Sequence, residues 1–284
     1  MNRAHILVID GNRAATREQQ VAAGGSPSGE GYVEVLKSLA SVDCEIIRPA
    51  DGEVRFAPGT GIDSFDAVAI TGSALNVYDS GAHIERQVEL ARAVFAAGVP
   101  FFGSCWGMQV AVTAAGGRVG RNPLGREFGF GRRIELTAEG RGHAMFAHKP
   151  EVFEAITVHG DYVAQLPPDC RVLARNEMGV QAMEVRHARG VCWGVQYHPE
   201  YTFAEIAATA LRYGQTLISE GLFADQADLG SFVAELRALM ADPRDPRLSW
   251  KHGLGPALRD RACQLAELNN WLQAQVLPYA QRRH

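Results

Sequence analysis

Two short segments of this chain concentrate its chemistry. Cys105 stands in Gly103-Ser104-Cys105-Trp106-Gly107, between an apolar run that reads as a buried strand (residues 99–103) and a helical stretch (residues 108–115). A glycine two positions to either side of a nucleophile is the pattern of a nucleophile elbow. A strand turns sharply into a helix, the nucleophile is held in a strained backbone conformation, and neighbouring side chains must be absent for the turn to close. The sulfur then projects at the carboxyl end of the sheet, where ligands bind in open α/β folds. The N-terminus of the following helix favours a thiolate there. An isolated cysteine is more often a small buried hydrophobe; the two glycines, the strand and the helix set this one apart.

A thiolate nucleophile needs a base, and the base an orienting group. Of the nine histidines, only His198 follows a strand-like run (residues 191–197) and precedes Pro199-Glu200. Proline fixes φ and removes a donor, so the chain leaves the sheet in a defined direction. The two-residue spacing lets Glu200 hold one ring nitrogen while the other faces the thiol, the third-group role of a triad. The bland alternative is a surface histidine at a strand end beside a solvated glutamate.

Taken together, Gly103-Ser104-Cys105-Trp106-Gly107-Met108-Gln109 and Gln196-Tyr197-His198-Pro199-Glu200, some ninety positions apart, resemble the signatures of class I (triad-type) glutamine amidotransferases. The resemblance covers roughly residues 5–215 and is strongest with the glutaminase portion of GMP-synthase-like enzymes. It implies a flavodoxin-like α/β fold with a mostly parallel central sheet, helices on both faces and a C-terminal helical appendage. It implies catalytic roles for Cys105, His198 and Glu200, and an oxyanion hole from the backbone N–H groups of Gly72 and Trp106. Such preorganised donors are worth about 3 kcal/mol each. Thr71-Gly72-Ser73 resembles the family's oxyanion loop. Ser73, Gln109, Val158, Gly160 and Asp161 match substrate-pocket positions, with Gln109 at the amino-acid end of glutamine. Val158-His159-Gly160-Asp161 departs from the family's S/N-H-G-D by its valine. That leaves a backbone contact there and makes His159 a wall or structural residue rather than a second base. Arg126 and Glu127 precede the pocket-covering strand, as solvated turn residues or as substrate contacts.

The implied reaction is hydrolysis of a γ-glutamyl amide through a γ-glutamyl thioester, with no cofactor and no metal. The substrate is glutamine, releasing ammonia, or a γ-glutamylated compound releasing a larger amine. The first case calls for a separate synthetase subunit as partner, since the chain carries no P-loop signature; the second calls for a stand-alone hydrolase. A non-catalytic binding protein is the reading that an intact Cys105, His198 and Glu200 disfavour.

The elements that must position these residues alternate. Residues 5–10, 44–48, 66–70 and 99–103 read as strands, and residues 32–40 and 83–97 as helices. Continuous apolar strands between helices suggest a parallel sheet covered on both faces. Residues 11–31, broken by Gly24, Gly25, Pro27, Gly29 and Gly31, read as a long polar loop of the kind that serves as a lid. Beyond Gly129, residues 132–137, 170–175, 180–185 and 191–197 read as strands of a more antiparallel extension of the sheet. Residues 202–219 read as a helix. Residues 1–220 are expected to form the catalytic domain and residues 221–284 a helical appendage. The appendage would comprise a helix over 229–240, a Pro-broken link and a last helix over 256–276 carrying a stripe of Leu258, Ala262, Leu265, Leu268 and Leu272. The sequence leaves open whether it covers the site, forms a homodimer interface or docks a partner.

Composition narrows the class. The 284 residues are 46% hydrophobic and 21% charged, with net charge −4, ordinary for a globular protein and against a broad nucleic-acid footprint. No apolar run is long enough to span a membrane, and the N-terminal apolar stretch is too short for a signal peptide. Five widely spaced cysteines without a CxxC pair argue against a disulfide framework or a zinc site, and for a reducing cytoplasm. Cys44, Cys170, Cys192 and Cys263 read as buried packing residues, as do Trp193 and Tyr197. His143 and His148 lie in a polar loop without the carboxylate spacing a metal would need.

Overall fold

The structure, a computed structural model, describes residues 3–283; Met1, Asn2 and His284, including the start of the expected N-terminal segment, lie outside the described residues. In chain order the elements are β1 (Ala4–Ile9), α1 (Ala14–Ala22), α2 (Ser28–Leu39), β2 (Val42–Ile47), β3 (Ala67–Ile70), α3 (Ala82–Ala97), β4 (Phe101–Ser104) and α4 (Trp106–Ala114). Then come β5 (Arg118–Arg121), β6 (Glu127–Leu136), α5 (Ala138–Arg141), β7 (Val152–His159), β8 (Asp161–Gln165), β9 (Cys170–Asn176), β10 (Gly179–His187) and β11 (Gly190–Val195). The chain closes with α6 (Phe203–Ser219), α7 (Gln226–Ala241), α8 (Pro246–His252), α9 (Pro256–Arg259), α10 (Arg261–Gln264), α11 (Ala266–Trp271) and α12 (Leu277–Arg283).

One sheet runs in the order β2-β1-β3-β4-β11-β10-β9-β6-β7. Its first five strands are parallel and the rest antiparallel, as the change of texture near Gly129 predicts. A small ribbon, β5 with β8, stands apart from it. Alternation along the strands feeds two cores. Ile6, Val8 and Phe102 enter one apolar cluster, while Leu7, Ile9 and Phe101 enter the other. Both faces are therefore covered, which is why these strands read as unbroken apolar runs.

Three expectations need correction. Residues 11–31 are not a loop: α1 and the start of α2 lie there, separated by Ala23–Pro27. The α1 sequence Ala-Ala-Thr-Arg-Glu-Gln-Gln-Val-Ala is made largely of good helix formers, but it buries only Gln20 and so shows no apolar stripe. The glycines of α2 are tolerated because Gly29 packs where an added Cβ would meet Asp10 and Ile46. The last helix is also not continuous. Asp260 leaves helical geometry, and its carboxylate accepts from Ala262 N at 3.0 Å, ending α9 and capping α10. Ala262 is consequently exposed, whereas Leu258, Leu265, Leu268 and Leu272 are buried. Of the four other cysteines, only Cys192 is fully buried; Cys44, Cys170 and Cys263 are half-buried. Strands β5, β7 and β8 and helix α8 add elements that the sequence pattern did not reveal.

The C-terminal helices pack on the sheet. Leu268, Trp271, Leu272 and Val276 join the cluster that contains Ile6 and Phe102, and the Trp271 and Phe102 rings lie 5.6 Å apart. Helix α7 packs on α6 through Leu229, Val233 and Leu236 in a third cluster. Among the described residues no helix is long and apolar enough to cross a membrane.

Candidate active site

Three adjacent parallel strands, β3, β4 and β11, end together and deliver the site. Thr71-Gly72-Ser73 leaves β3, Cys105 leaves β4, and the Gln196–Glu200 segment leaves β11. The strand order thus brings the resemblance-derived residues to one edge, although His198 is far from Cys105 in sequence.

Cys105 has φ 50° and ψ −101°, a strained conformation for a residue with a side chain. Its N–H donates to Val195 O at 2.7 Å, tying the bend to β11. The flanking glycines are steric requirements. A Cβ on Gly103 would stand 2.5 Å from the Gly107 carbonyl carbon, and one on Gly107 would collide with the Ile70 carbonyl oxygen. Both obstacles are backbone, so neither can yield. Cys105 is 4% exposed; its thiol accepts from Gln196 Nε2 at 3.4 Å and lies 3.7 Å from Val158 O.

The His198 imidazole is buried against this thiol. Burial by itself disfavours the imidazolium, but the Glu200 carboxylate and the neighbouring Cys105 outweigh it, raising the imidazole to about 10. Nδ1 lies 2.8 Å from Glu200 Oε1. Tyr201 stacks on the ring at 4.0 Å between centroids, and a Cβ on Gly72 would collide with the ring's Cε1. The other Glu200 oxygen accepts from Ser104 Oγ at 3.2 Å, and Ser104 Oγ is 2.9 Å from Tyr32 OH. The carboxylate is thereby locked from both sides.

Asn12 braces the turn around Gly72. Its Nδ2 donates to Gly72 O at 3.2 Å and to Ser28 Oγ at 2.9 Å, and its Oδ1 accepts from Ala74 N at 3.0 Å. Ser73 Oγ donates to Gly11 O at 2.9 Å. Trp106 heads α4, whose first-turn N–H groups have no partner within the helix; its indole N–H donates to Gln87 Oε1 at 2.7 Å. Gln109 is buried, and its amide donates to Gln196 Oε1 at 3.2 Å. It therefore reaches the thiol's partner rather than open space. Tyr32 and Asn12 are neighbours of the site that sequence reasoning missed, and Gln196, quoted only as part of the motif, was given no contact of its own. Gln196 lies within the motif around His198, but Asn12 and Tyr32 lay in or beside the segment read as a loop.

Val158 presents its carbonyl to Cys105, the backbone contact its departure from the family pattern left room for. His159 has both nitrogens engaged, Nδ1 at 2.9 Å from Asp161 O and Nε2 at 2.8 Å from Glu127 Oε2, which makes it structural. Beyond it opens a cavity of about 690 Å³ bordered by Tyr78, Arg126, Gly160, Asp161 and Glu220. Tyr78 OH donates to Asp161 Oδ1 at 2.8 Å, and burial pushes the Asp161 carboxyl up. Arg126 pairs with Glu220 through two hydrogen bonds and faces Gly160. Arg126 is thus no solvated turn residue, and Glu127 braces His159, Asn176 and Gln181. His143, by contrast, is spent on Glu184, 3.0 Å away.

Residues 34–213 match the glutamine amidotransferase class-I family. The chain is 32% identical over its full length, and over 97% of the relative, to gamma-glutamyl-L-1-hydroxyisopropylamide hydrolase of a Pseudomonas species. It is 28% identical over 61% of its length to GMP synthase of Fusobacterium nucleatum, spanning only 29% of that protein. In fold it resembles a glutamine amidotransferase from Thermotoga maritima (TM-score 0.61, 19% identity, 97% of this chain and 99% of the other). It resembles likewise one from Methylobacillus flagellatus (TM-score 0.60, 19% identity, 99% and 95%). The elbow and the shared sheet thus fall within a match that takes in most of the chain: the protein belongs to the class I glutamine amidotransferases.

Proposed function

We propose that Cys105, His198 and Glu200 form a catalytic triad that cleaves γ-glutamyl amides of small alkylamines, without a synthetase partner. The observation that carries the catalytic part is the buried imidazole held between the Cys105 thiol and the Glu200 carboxylate at the ends of adjacent strands. His198 takes the thiol proton, and Glu200 and Cys105 together favour the imidazolium that results. The sulfur attacks the side-chain amide carbon, and the carbonyl becomes an oxyanion facing the Gly72 and Trp106 N–H groups. The imidazolium gives its proton to the amide nitrogen, the C–N bond breaks and the amine leaves. Water, losing a proton to His198, attacks the resulting thioester; the C–S bond breaks and glutamate is released. Glu200 keeps the imidazole oriented and stabilises its charge throughout.

The cavity at Gly160 and Asp161 suits the other end of the substrate. It offers a carboxylate for the α-ammonium and the Arg126 guanidinium beside it for the α-carboxylate. Ser73 and Gln109 act one step back, Ser73 by fixing the oxyanion loop and Gln109 by fixing Gln196.

The larger leaving group rests on the end-to-end match with the Pseudomonas hydrolase, set against the partial match with the GMP synthase. A panel of glutamine and γ-glutamyl amides of ethyl-, isopropyl- and hydroxyisopropylamine, with amine and glutamate both measured, tests it. The expected result is kcat/KM at least tenfold higher for an alkylamide than for glutamine, and loss of all hydrolysis in a folded Cys105→Ala variant. A preference for glutamine would overturn the leaving-group assignment. Turnover by the alanine variant would remove Cys105 from the reaction.

A further inference from the structure

The segment carrying His198 is gripped from outside the region that matches the family. That match ends at residue 213; the grip comes from residues 261–267. Arg261 Nη1 donates to Tyr201 O at 2.7 Å and to Pro199 O at 3.3 Å, and its Nη2 donates to Glu200 O at 2.8 Å. Gln264 Nε2 donates to Tyr201 O at 2.7 Å. On the other side of His198, Tyr197 OH donates to Glu267 Oε1 at 2.5 Å. Glu267 is fully buried and neutralised by Lys149, whose Nζ lies 2.7 Å away. A planar fork satisfying three successive carbonyls fixes a turn as one hydrogen bond cannot. The local helices explain the reach: Asp260 caps α10, which places Arg261, Gln264 and Glu267 on neighbouring turns over the segment.

We infer that Arg261 is a positioning residue for the base. It holds the Pro199–Tyr201 turn so that Glu200 and the stacked Tyr201 ring keep the His198 imidazole aimed at Cys105. Glu267 anchors the preceding residue. Residues 261–267 are then part of the catalytic apparatus rather than a cover. The break in the last helix, where Asp260 caps α10, sets Arg261 at the start of a new helix facing the turn.

This rests on the triad assigned above, so the test reads the thiol as well as turnover. Arg261→Met and Arg261→Lys are compared with the wild type. The readouts are kcat and KM on the best γ-glutamyl alkylamide, the rate of Cys105 carbamidomethylation by iodoacetamide at neutral pH followed by peptide mapping, and thermal unfolding. The expected result for Arg261→Met is a kcat at least tenfold lower, KM within about twofold, and Cys105 alkylation at least fivefold slower in a folded protein. Arg261→Lys, keeping the charge but not the fork, should recover only part of both losses. Wild-type kcat and alkylation rate in either folded variant would overturn the proposal; should Arg261→Met not fold, Arg261→Lys decides alone. A wild-type enzyme that turns over none of the amides would instead discredit the triad, while the alkylation comparison would still report on the fork.

Discussion

At the scale of single residues, the site is a set of atoms with little freedom. The His198 ring has Glu200 on Nδ1, Tyr201 on one face and the Gly72 backbone against Cε1. A side chain at Gly72 would displace the imidazole, because an added Cβ would collide with its Cε1. A Gly72→Ala variant should fold with little change in melting temperature yet lose about 100-fold in kcat, the usual cost of misplacing a reacting group by an ångström. Steady-state kinetics beside a thermal melt would check this, and a variant with wild-type kcat would refute the close approach. Cys105 and the His198–Glu200 pair were legible in the sequence because their signature is local: glycines at fixed offsets, and a proline that turns the chain between imidazole and carboxylate. Tyr32 and Asn12 were not. Their partners, Ser104 and Gly72, lie 72 and 60 positions away, and no spacing rule announces such a pair.

Among the elements, the site depends on how closely α4 approaches β3 and β4. Gly107 sits in the first turn of α4 against the Ile70 carbonyl, and Gly103 in β4 against the Gly107 backbone. A methyl group at Gly107 has only backbone to push against, so Gly107→Ala should cost about 3 kcal/mol or more, the upper range for overpacking. Urea denaturation would measure it, and a loss below about 1 kcal/mol would show that α4 can lift from the sheet. The same scale shows where periodicity fails as a guide. Helix α1 faces solvent on most sides, so its residues follow helix propensity rather than an apolar stripe, and its flanking glycines read as loop. Asp260 broke what a leucine stripe alone presents as one helix, because a capping carboxylate competes locally with continued helix.

Over the whole molecule, the antiparallel half of the sheet is held to the parallel half by buried polar groups as well as apolar ones. Glu184 on β10 is one of them. Its carboxylate takes hydrogen bonds from Arg186 Nε at 2.8 Å and Trp193 Nε1 at 3.3 Å, with His143 at 3.0 Å. Burial favours its neutral form, but His143 and Arg186 prevail and hold it at about 2, below its ordinary 4.5. A depressed carboxyl contributes stability that is complete above the unfolded value and is lost as pH falls through the folded one. That contribution should therefore fade between about pH 4.5 and 2. Glu184→Gln should lower stability at pH 7 by up to about 3 kcal/mol and flatten the dependence across that window. Urea midpoints at pH 7, 5, 4 and 3 would show it, and parallel curves for the two proteins would rule out Glu184 as the titrating group.

The sequence by itself determined the cysteine at its bend, the histidine and the carboxylate that meet it, and the α/β sheet with its antiparallel extension. Each is dictated by sterics or patterning within a few residues: a bend only glycines allow, a proline-set exit, apolar runs that must be covered on both faces. Only the tertiary structure decided what surrounds them. Strand order places β3, β4 and β11 side by side, and the packing of the last helices on the sheet brings Arg261 and Glu267 to the base. Such contacts depend on where two distant stretches of chain meet, and that is set by the summed burial of the whole core rather than by any local pattern.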